Sequence, residues 1–453
     1  MKTIYYFQSL YIASRQLHNM KLFAIKQLLT AIAFIFITNC ITAQANDPSF
    51  VIGDALPDAP ELSPRGDYKV GVRTLELVHK KQVDILNSKA GADPLYDRHL
   101  KIEVWYPAIV PQGQTALITY NSTLGLWKDT SRPLIPFSFN GRALRDAAPD
   151  LSAGKFPLII VSHGYPGSRL LLTYLTENLA SKGYVVVAID HTESTYGDRS
   201  PFQSTLLNRA KDILFVLNEV ADMSKAGNKH FLAGLADADN TALIGYSMGG
   251  YGVLNAAGAG YSSKLDSSFT QMTGGSKAIR VRTTNNDEFK ASHDARIKAV
   301  VAFAPWGMQR GVWDAEGLQG LKVPTLFVAG NLDDVSGYED GIKAIYEGAV
   351  NTNRYLLTYE NARHNVAPNP PPPASLKAGV SFNEYYHYAE PSWNEYRINN
   401  INQHFVTAFM GIYLKQKDYG KYLDLPEHSN DKGWTGFKPR TATGLELQHA
   451  VPH

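Results

Sequence analysis

Six short, continuous apolar runs constrain this chain more than any other feature. They are Pro157–Val161, Tyr184–Ile189, Thr241–Gly245, Lys298–Phe303, Pro324–Val328 and Tyr355–Tyr359. A strand with one wet face alternates apolar and polar residues, whereas a strand covered on both faces is apolar throughout. Helical patterns at Leu170–Lys182, Ser204–Met223, Glu339–Gly348 and Trp393–Lys415 lie between and after these runs. The pattern predicts an α/β fold, a mostly parallel sheet flanked by helices on both faces. Upstream, Val70–Val78 and His99–Tyr106 alternate and read as half-buried strands. Lys80–Arg98 reads as a polar connector, and 107–155 as a long surface excursion. The polar stretch 261–294 reads as a surface insertion. The segment 365–392 begins with a proline-rich loop, which is either a stiff surface loop or one wall of a site.

With 44% hydrophobic and 19% charged residues the chain is an ordinary globular one, long enough to bury a large core. A net charge of +2 and no long Lys/Arg run give no basis for nucleic-acid binding. Near the N-terminus, Lys21 and Lys26 precede the apolar run Leu28–Thr38, and Ala43-Gln44-Ala45 follows. This is the order of a secretory signal, with residues 1–45 removed and Asn46 the mature start. Met20 opens a complete signal by itself, so residues 1–19 are read as an upstream start choice. The run is too short to span a bilayer, so no stable membrane span is expected in the mature chain, which is placed in the periplasm or outside the cell. The single cysteine, Cys40, falls inside the signal, leaving no disulfide and no thiol nucleophile or zinc ligand. A lipidated Cys40 is the weaker alternative, because Ile37-Thr38-Asn39 lacks the small residues lipoprotein processing prefers. Residues 46–453 then form a single domain carrying insertions near 107–155, 261–294 and 365–392.

Gly245-Tyr246-Ser247-Met248-Gly249 joins the third apolar run to the small-residue segment after it. Strand, sharp turn, helix is the setting of a nucleophile elbow, in which flanking glycines let the turn tighten and a strained serine stands clear of the sheet. Such a serine needs a base, an orienter for the base and donors for the oxyanion. His364 follows the sixth run and is the expected base, because imidazole titrates near neutrality. His163, His191, His387 and His404 are its rivals. The orienting acid is Asp333 or Asp334 after the fifth run; spacing from Gly330 favours Asp333, and capping of the next helix is the competing role. Oxyanion donors are expected from the N–H of Met248 and from the loop Ser162-His163-Gly164-Tyr165-Pro166-Gly167. Tyr165 is the preferred donor there, since Pro166 has no N–H. Trp306, Met308 and Trp313 follow the fourth run and are candidates for a substrate pocket or for the core.

At these residues the chain resembles the α/β-hydrolase superfamily. More narrowly, it resembles a bacterial predicted dienelactone-hydrolase group similar to platelet-activating-factor acetylhydrolases. The matching stretches are Val70–Thr74, Val104–Pro107, Ser162–Gly167, Ile189–His191, the Ser247 elbow and Gly330–Asp333. The resemblance implies hydrolysis of small-molecule or polymeric esters through Ser247, Asp333 and His364, with no metal and no cofactor. Classical dienelactone hydrolases use a cysteine where Ser247 stands, which points away from dienelactone as the substrate. The competing readings are an amidase or peptide hydrolase on the same triad, and a binding protein on a hydrolase scaffold.

Overall fold

The computed structural model describes residues 50–125 and 133–452; the expected signal segment 1–45, with Cys40, lies outside them. The strands are β1 (Val70–Val83), β2 (Leu95–Ile109), β3 (Ile118–Leu124), β4 (Ile135–Gly141), β5 (Leu144–Arg145), β6 (Ala148–Pro149) and β7 (Phe156–Ser162). Then follow β8 (Val185–Asp190), β9 (Ala236–Tyr246), β10 (Ile297–Phe303), β11 (Thr325–Gly330), β12 (Arg354–Tyr359) and β13 (Leu445–Ala450). The main sheet has the order β13-β12-β11-β10-β9-β7-β8-β2-β1-β5, with β6 paired to β2. From β8 to β12 every pairing is parallel; β13 runs antiparallel to β12, β2 antiparallel to β8 and β1, and β5 pairs parallel with β1.

The parallel strands are the six apolar runs. Every residue of β7, β11 and β12 is buried, as continuous apolar strands require when helices cover both faces. The principal helices are α1 (Thr173–Ser181), α2 (Phe202–Met223), α3 (Met248–Ala256), α4 (Ser263–Met272) and α5 (Glu395–Lys415). Among the described residues no helix is long and apolar enough to cross a membrane.

Four expectations change. Lys80–Arg98 is not a connector: β1 and β2 pair on through Val83 and Leu95 as a long hairpin. Its outer half is polar because most of its residues meet solvent. Between 107 and 155, β3 and β4 form their own antiparallel hairpin rather than an unstructured excursion. The stretch 261–294 is polar in composition but folds as short helices that bury Tyr261, Leu265, Phe269, Ile279 and Phe289. Asn365–Pro370 is buried rather than draped on the surface, and Asn369 N–H donates to Leu171 O at 2.8 Å.

What holds that buried loop is an amide-rich face of α5. Asn399 and Asn402 donate to Pro368 O (3.0 Å) and Val366 O (2.8 Å). Asn400 and Gln403 donate to Asp54 O and Gly53 O, and Asn400 Oδ1 accepts from Leu56 N–H. A loop without strand partners must satisfy its backbone some other way once buried, and these side-chain amides do so.

Candidate active site

Ser247 sits between β9 and α3 with φ 54° and ψ −113°, a conformation that costs a non-glycine residue about 1–3 kcal/mol. Its neighbours impose the turn: Ser247 N–H donates to Phe303 O (2.9 Å), and Ser247 O accepts from Trp306 N–H (3.1 Å) and Tyr251 N–H (3.0 Å). The flanking glycines are steric necessities. A Cβ on Gly245 would lie 2.2 Å from Gly249 O, and one on Gly249 would lie 1.9 Å from Ser162 O.

His364 follows β12 and brings Nε2 to 3.0 Å from Ser247 Oγ. Its Nδ1 lies 2.8 Å from Asp333 Oδ2. Burial pushes the Asp333 carboxyl upward, but the facing His364 and the N–H groups of Ser336 and Val335, both at 2.8 Å from Oδ1, outweigh it and hold the pKa below the ordinary value. An ionised Asp333 accepts only, so Nδ1–H of His364 donates to it and Nε2 is left to accept the Ser247 hydroxyl proton. Asp334 points elsewhere and accepts from Arg363 Nη1 at 2.7 Å on the surface. The turns carrying Asp333 and His364 are themselves joined, by Leu332 N–H to Ala362 O (2.9 Å) and Asn361 N–H to Asn331 Oδ1 (2.7 Å).

Met248 opens α3, and Tyr165 lies in the loop after β7. A Cβ on Gly164 would stand 3.5 Å from Ser247 Cβ, so this loop lies directly against the serine. Among the described residues no turn, loop or cap hydrogen bond to backbone uses the N–H of Met248 or Tyr165. Trp306 and Met308 are half-buried; the backbone N–H of Trp306 donates to Ser247 O, and its ring meets Phe202 edge-on at 5.1 Å. Trp313 lies instead in the core, 2% exposed, against Tyr251 and beneath Gly307.

The rival histidines occupy other places. His404 is enclosed in α5, and His387 Nε2 donates to Pro166 O at 2.9 Å. His163 and His191 belong to a buried network that the sequence reasoning missed. His191 Nδ1 lies 2.9 Å from Asp212 Oδ2, and His191 Nε2 lies 2.8 Å from Ser162 Oγ. Arg98 donates to both Asp212 oxygens, at 2.8 and 2.9 Å. Tyr246 OH donating to Asn365 Oδ1 (2.9 Å), beside His364, also escaped it. A signal did exist: Arg98 falls on the inward-facing register of β2 with Leu100 and Ile102, and a charge there demands a buried partner. Among the described residues no group of three or more His, Cys, Asp or Glu could hold a metal ion.

A parallel sheet carrying a strained serine at a strand-to-helix turn, at the C-terminal edge of its strands, defines a class. The chain has the α/β-hydrolase fold. A family model described as PET hydrolase-like matches residues 145–275. The cutinase est1 of Thermobifida alba is 27% identical over 212 residues, 47% of this chain and 54% of that protein. A bis(hydroxyethyl) terephthalate hydrolase of Streptomyces coelicolor is 22% identical over 51% of this chain and 57% of its own length. The chain spans about half the length of the curated relatives it matches. Among solved structures, a ferulic acid esterase from Streptomyces cinnamoneus superposes with a TM-score of 0.51 at 21% identity, covering 77% of this chain and 91% of that one.

Proposed function

We propose that this protein is an exported serine carboxylesterase in which Ser247, His364 and Asp333 act as the triad. The observation that carries this reading is the unbroken line from Ser247 Oγ to His364 Nε2 (3.0 Å) and from His364 Nδ1 to Asp333 Oδ2 (2.8 Å). His364 takes the hydroxyl proton as Ser247 Oγ bonds to the ester carbonyl carbon. The carbonyl oxygen becomes an oxyanion, held by the N–H of Met248 at the N-terminus of α3 and by that of Tyr165 in the loop after β7. Collapse breaks the bond to the alkoxy oxygen, and the alcohol leaves with the proton from His364. Water, deprotonated by the same imidazole, then attacks the acyl-enzyme and frees the acid and Ser247. Asp333 stays ionised throughout and stabilises the imidazolium.

Cutinases, a bis(hydroxyethyl) terephthalate hydrolase and a ferulic acid esterase are the relatives and neighbour that support an ester substrate, small or polymeric. The half-buried Trp306, whose backbone N–H donates to Ser247 O, and the half-buried Met308 two residues on suit an apolar acyl group. Export rests on the residue order of 20–45 and is tested by finding the mature chain outside the cytoplasm after expression with its own leader.

The deciding experiment is labelling of the mature protein with a fluorophosphonate, the modified peptide being located by mass spectrometry. Label on Ser247, and its loss with all but ~10⁻³ of ester turnover in S247A, is the expected result. A folded protein that is neither labelled nor active on a panel of esters refutes the scheme. Matched amides in the same panel separate an esterase from an amidase.

A further inference from the structure

The network beneath the oxyanion loop contains a charge that the triad does not use. Arg209, on α2, is 1% exposed. Asp212, one turn further along, is saturated by Arg98 and by His191, and Arg209 makes no direct bond to it. The Arg209 guanidinium is spent on the loop that follows β7. Its Nη1 donates to His163 O at 2.6 Å and its Nη2 to Gly164 O at 3.4 Å, with Nη2 also bonded to Ser194 Oγ. Arg209 Nε has no partner among the described residues. Burial drags this guanidinium down to about 9, against the pull of Asp212, so the chain meets a real cost to keep a cation here.

The loop is held from its own side too. His163 Nε2 accepts from His191 N–H at 3.2 Å, so the ring proton is on Nδ1 and is donated to Gly164 O at 2.6 Å. Arg209 also packs on α3: a Cβ on Gly252 would lie 2.4 Å from Arg209 Cγ. One side chain thus touches both elements that carry the oxyanion donors, the loop with Tyr165 and the helix that Met248 opens.

A trans peptide is planar, with its N–H pointing opposite to its C=O. Pinning Gly164 O toward Arg209 therefore turns the Tyr165 N–H away from Arg209, while Gly164 itself lies against Ser247. We propose that Arg209 is the positioning residue of the oxyanion hole: by gripping the His163 and Gly164 carbonyls it aims the Tyr165 N–H at the reacting carbonyl oxygen and fixes its spacing from Met248. This rests on the serine-esterase reading of Ser247. Arg209 touches neither substrate nor the reacting atoms, and it acts only through the loop.

The test is kinetic. R209M keeps much of the packing but removes both donors; R209K keeps a cation that cannot grip two carbonyls in a fork. Loss of an oxyanion donor lowers kcat by about 10²–10³-fold, so a misaimed donor is expected to lower it by roughly 10–100-fold. KM for a short p-nitrophenyl ester should stay within about twofold, because ground-state binding does not use the oxyanion donors. The Ki of a trifluoromethyl ketone, whose hemiketal oxygen needs the same donors, should rise in step with the fall in kcat/KM. R209K should fall between the two enzymes and decides the matter if R209M does not fold. R98M is the control: it unpairs Asp212 but leaves both loop carbonyls gripped, and should lower the unfolding midpoint without raising Ki. Overturning results are a folded R209M or R209K with unchanged kcat, a fall in stability and kcat with Ki unmoved, or an equal rise of Ki in R98M. If the parent enzyme itself shows no ester turnover and no label on Ser247, the esterase reading fails and carries this inference with it.

Discussion

His404 offers a measurement of how much acid sensitivity a single buried imidazole gives this fold. It lies inside α5, enclosed by Phe405, Tyr422 and Phe437, each about 5.2 Å from its ring. Nδ1 accepts from Leu62 N–H at 3.1 Å, so the neutral ring carries its proton on Nε2, which has no partner among the described residues. Burial, aided by the nearby Lys182 charge, pulls its pKa to about 3. The same holds for His191, taken to about 3 chiefly by burial and secondly by Arg209, against the opposing pull of Asp212. Unfolded, each ring would titrate at ~6.5. Between those values the unfolded chain binds a proton that the folded chain refuses, so stability falls as pH falls. From pH 7.5 to 5.0 each histidine removes about 2 kcal/mol, and the pair about 4 kcal/mol. At ~2.1 cal/mol/K per residue across residues 52–453, that pair lowers Tm by roughly 5 °C. The assay is urea denaturation of the parent and of H404Q, which keeps an acceptor for Leu62 N–H, at half-unit steps from pH 7.5 to 5.0. The parent should lose stability faster, the two curves diverging by about 1.4 kcal/mol per pH unit below pH 6. Curves that stay parallel would show that His404 takes up its proton in the folded protein as readily as in the unfolded chain, and the reasoning from burial would be wrong.

Other expectations follow from the same geometry. D333N should lower kcat by about 10⁴-fold by upsetting the His364 tautomer, whereas D334N, which loses only a surface pair with Arg363, should stay near parent activity and within ~1 kcal/mol of parent stability. Steady-state kinetics and denaturation on both variants check this, and equal losses would remove Asp333 from the relay. G249A, whose new Cβ meets Ser162 O at 1.9 Å, should cost at least ~3 kcal/mol or prevent folding, while G420A, with nothing within 4 Å, should be near neutral in the same denaturation series. W306A should lower kcat/KM about tenfold for bulky aromatic acyl esters and little for acetate esters; a uniform loss across the series would place Trp306 outside the acyl pocket.

The parallel core was legible because β7 to β12 are apolar on both faces, a pattern no half-wet strand or surface helix produces. Ser247 was legible for a related reason: a turn that admits no Cβ at Gly245 or Gly249 must write glycine in the sequence. The choice between Asp333 and Asp334 rested on spacing alone, and the side chains of these neighbours in one turn diverge, one to His364 and the other to Arg363. What stayed hidden depends on partners distant in sequence. The outer β1–β2 hairpin is mostly exposed and buries few apolar residues, so its polar sequence looked like a loop. The stretch 261–294 buries only scattered residues across short helices, too few for a period to show. The Arg98–Asp212–His191–Ser162 line is assembled from β2, α2, β7 and the turn after β8, and no local spacing encodes it.

The amide face of α5 has a consequence for when, during synthesis, the chain can become reactive. The elbow and the loop with Tyr165 are complete by Ala256, yet they hold only an ordinary alcohol until His364 stands beside Ser247. His364 precedes a stretch that Asn399 and Asn402 fasten, and α5 ends at Lys415. On the proposed triad, a ribosome must therefore release residues well beyond 400 before Ser247 meets His364. If the proposed triad holds, the polypeptide carries its serine unarmed through most of its elongation.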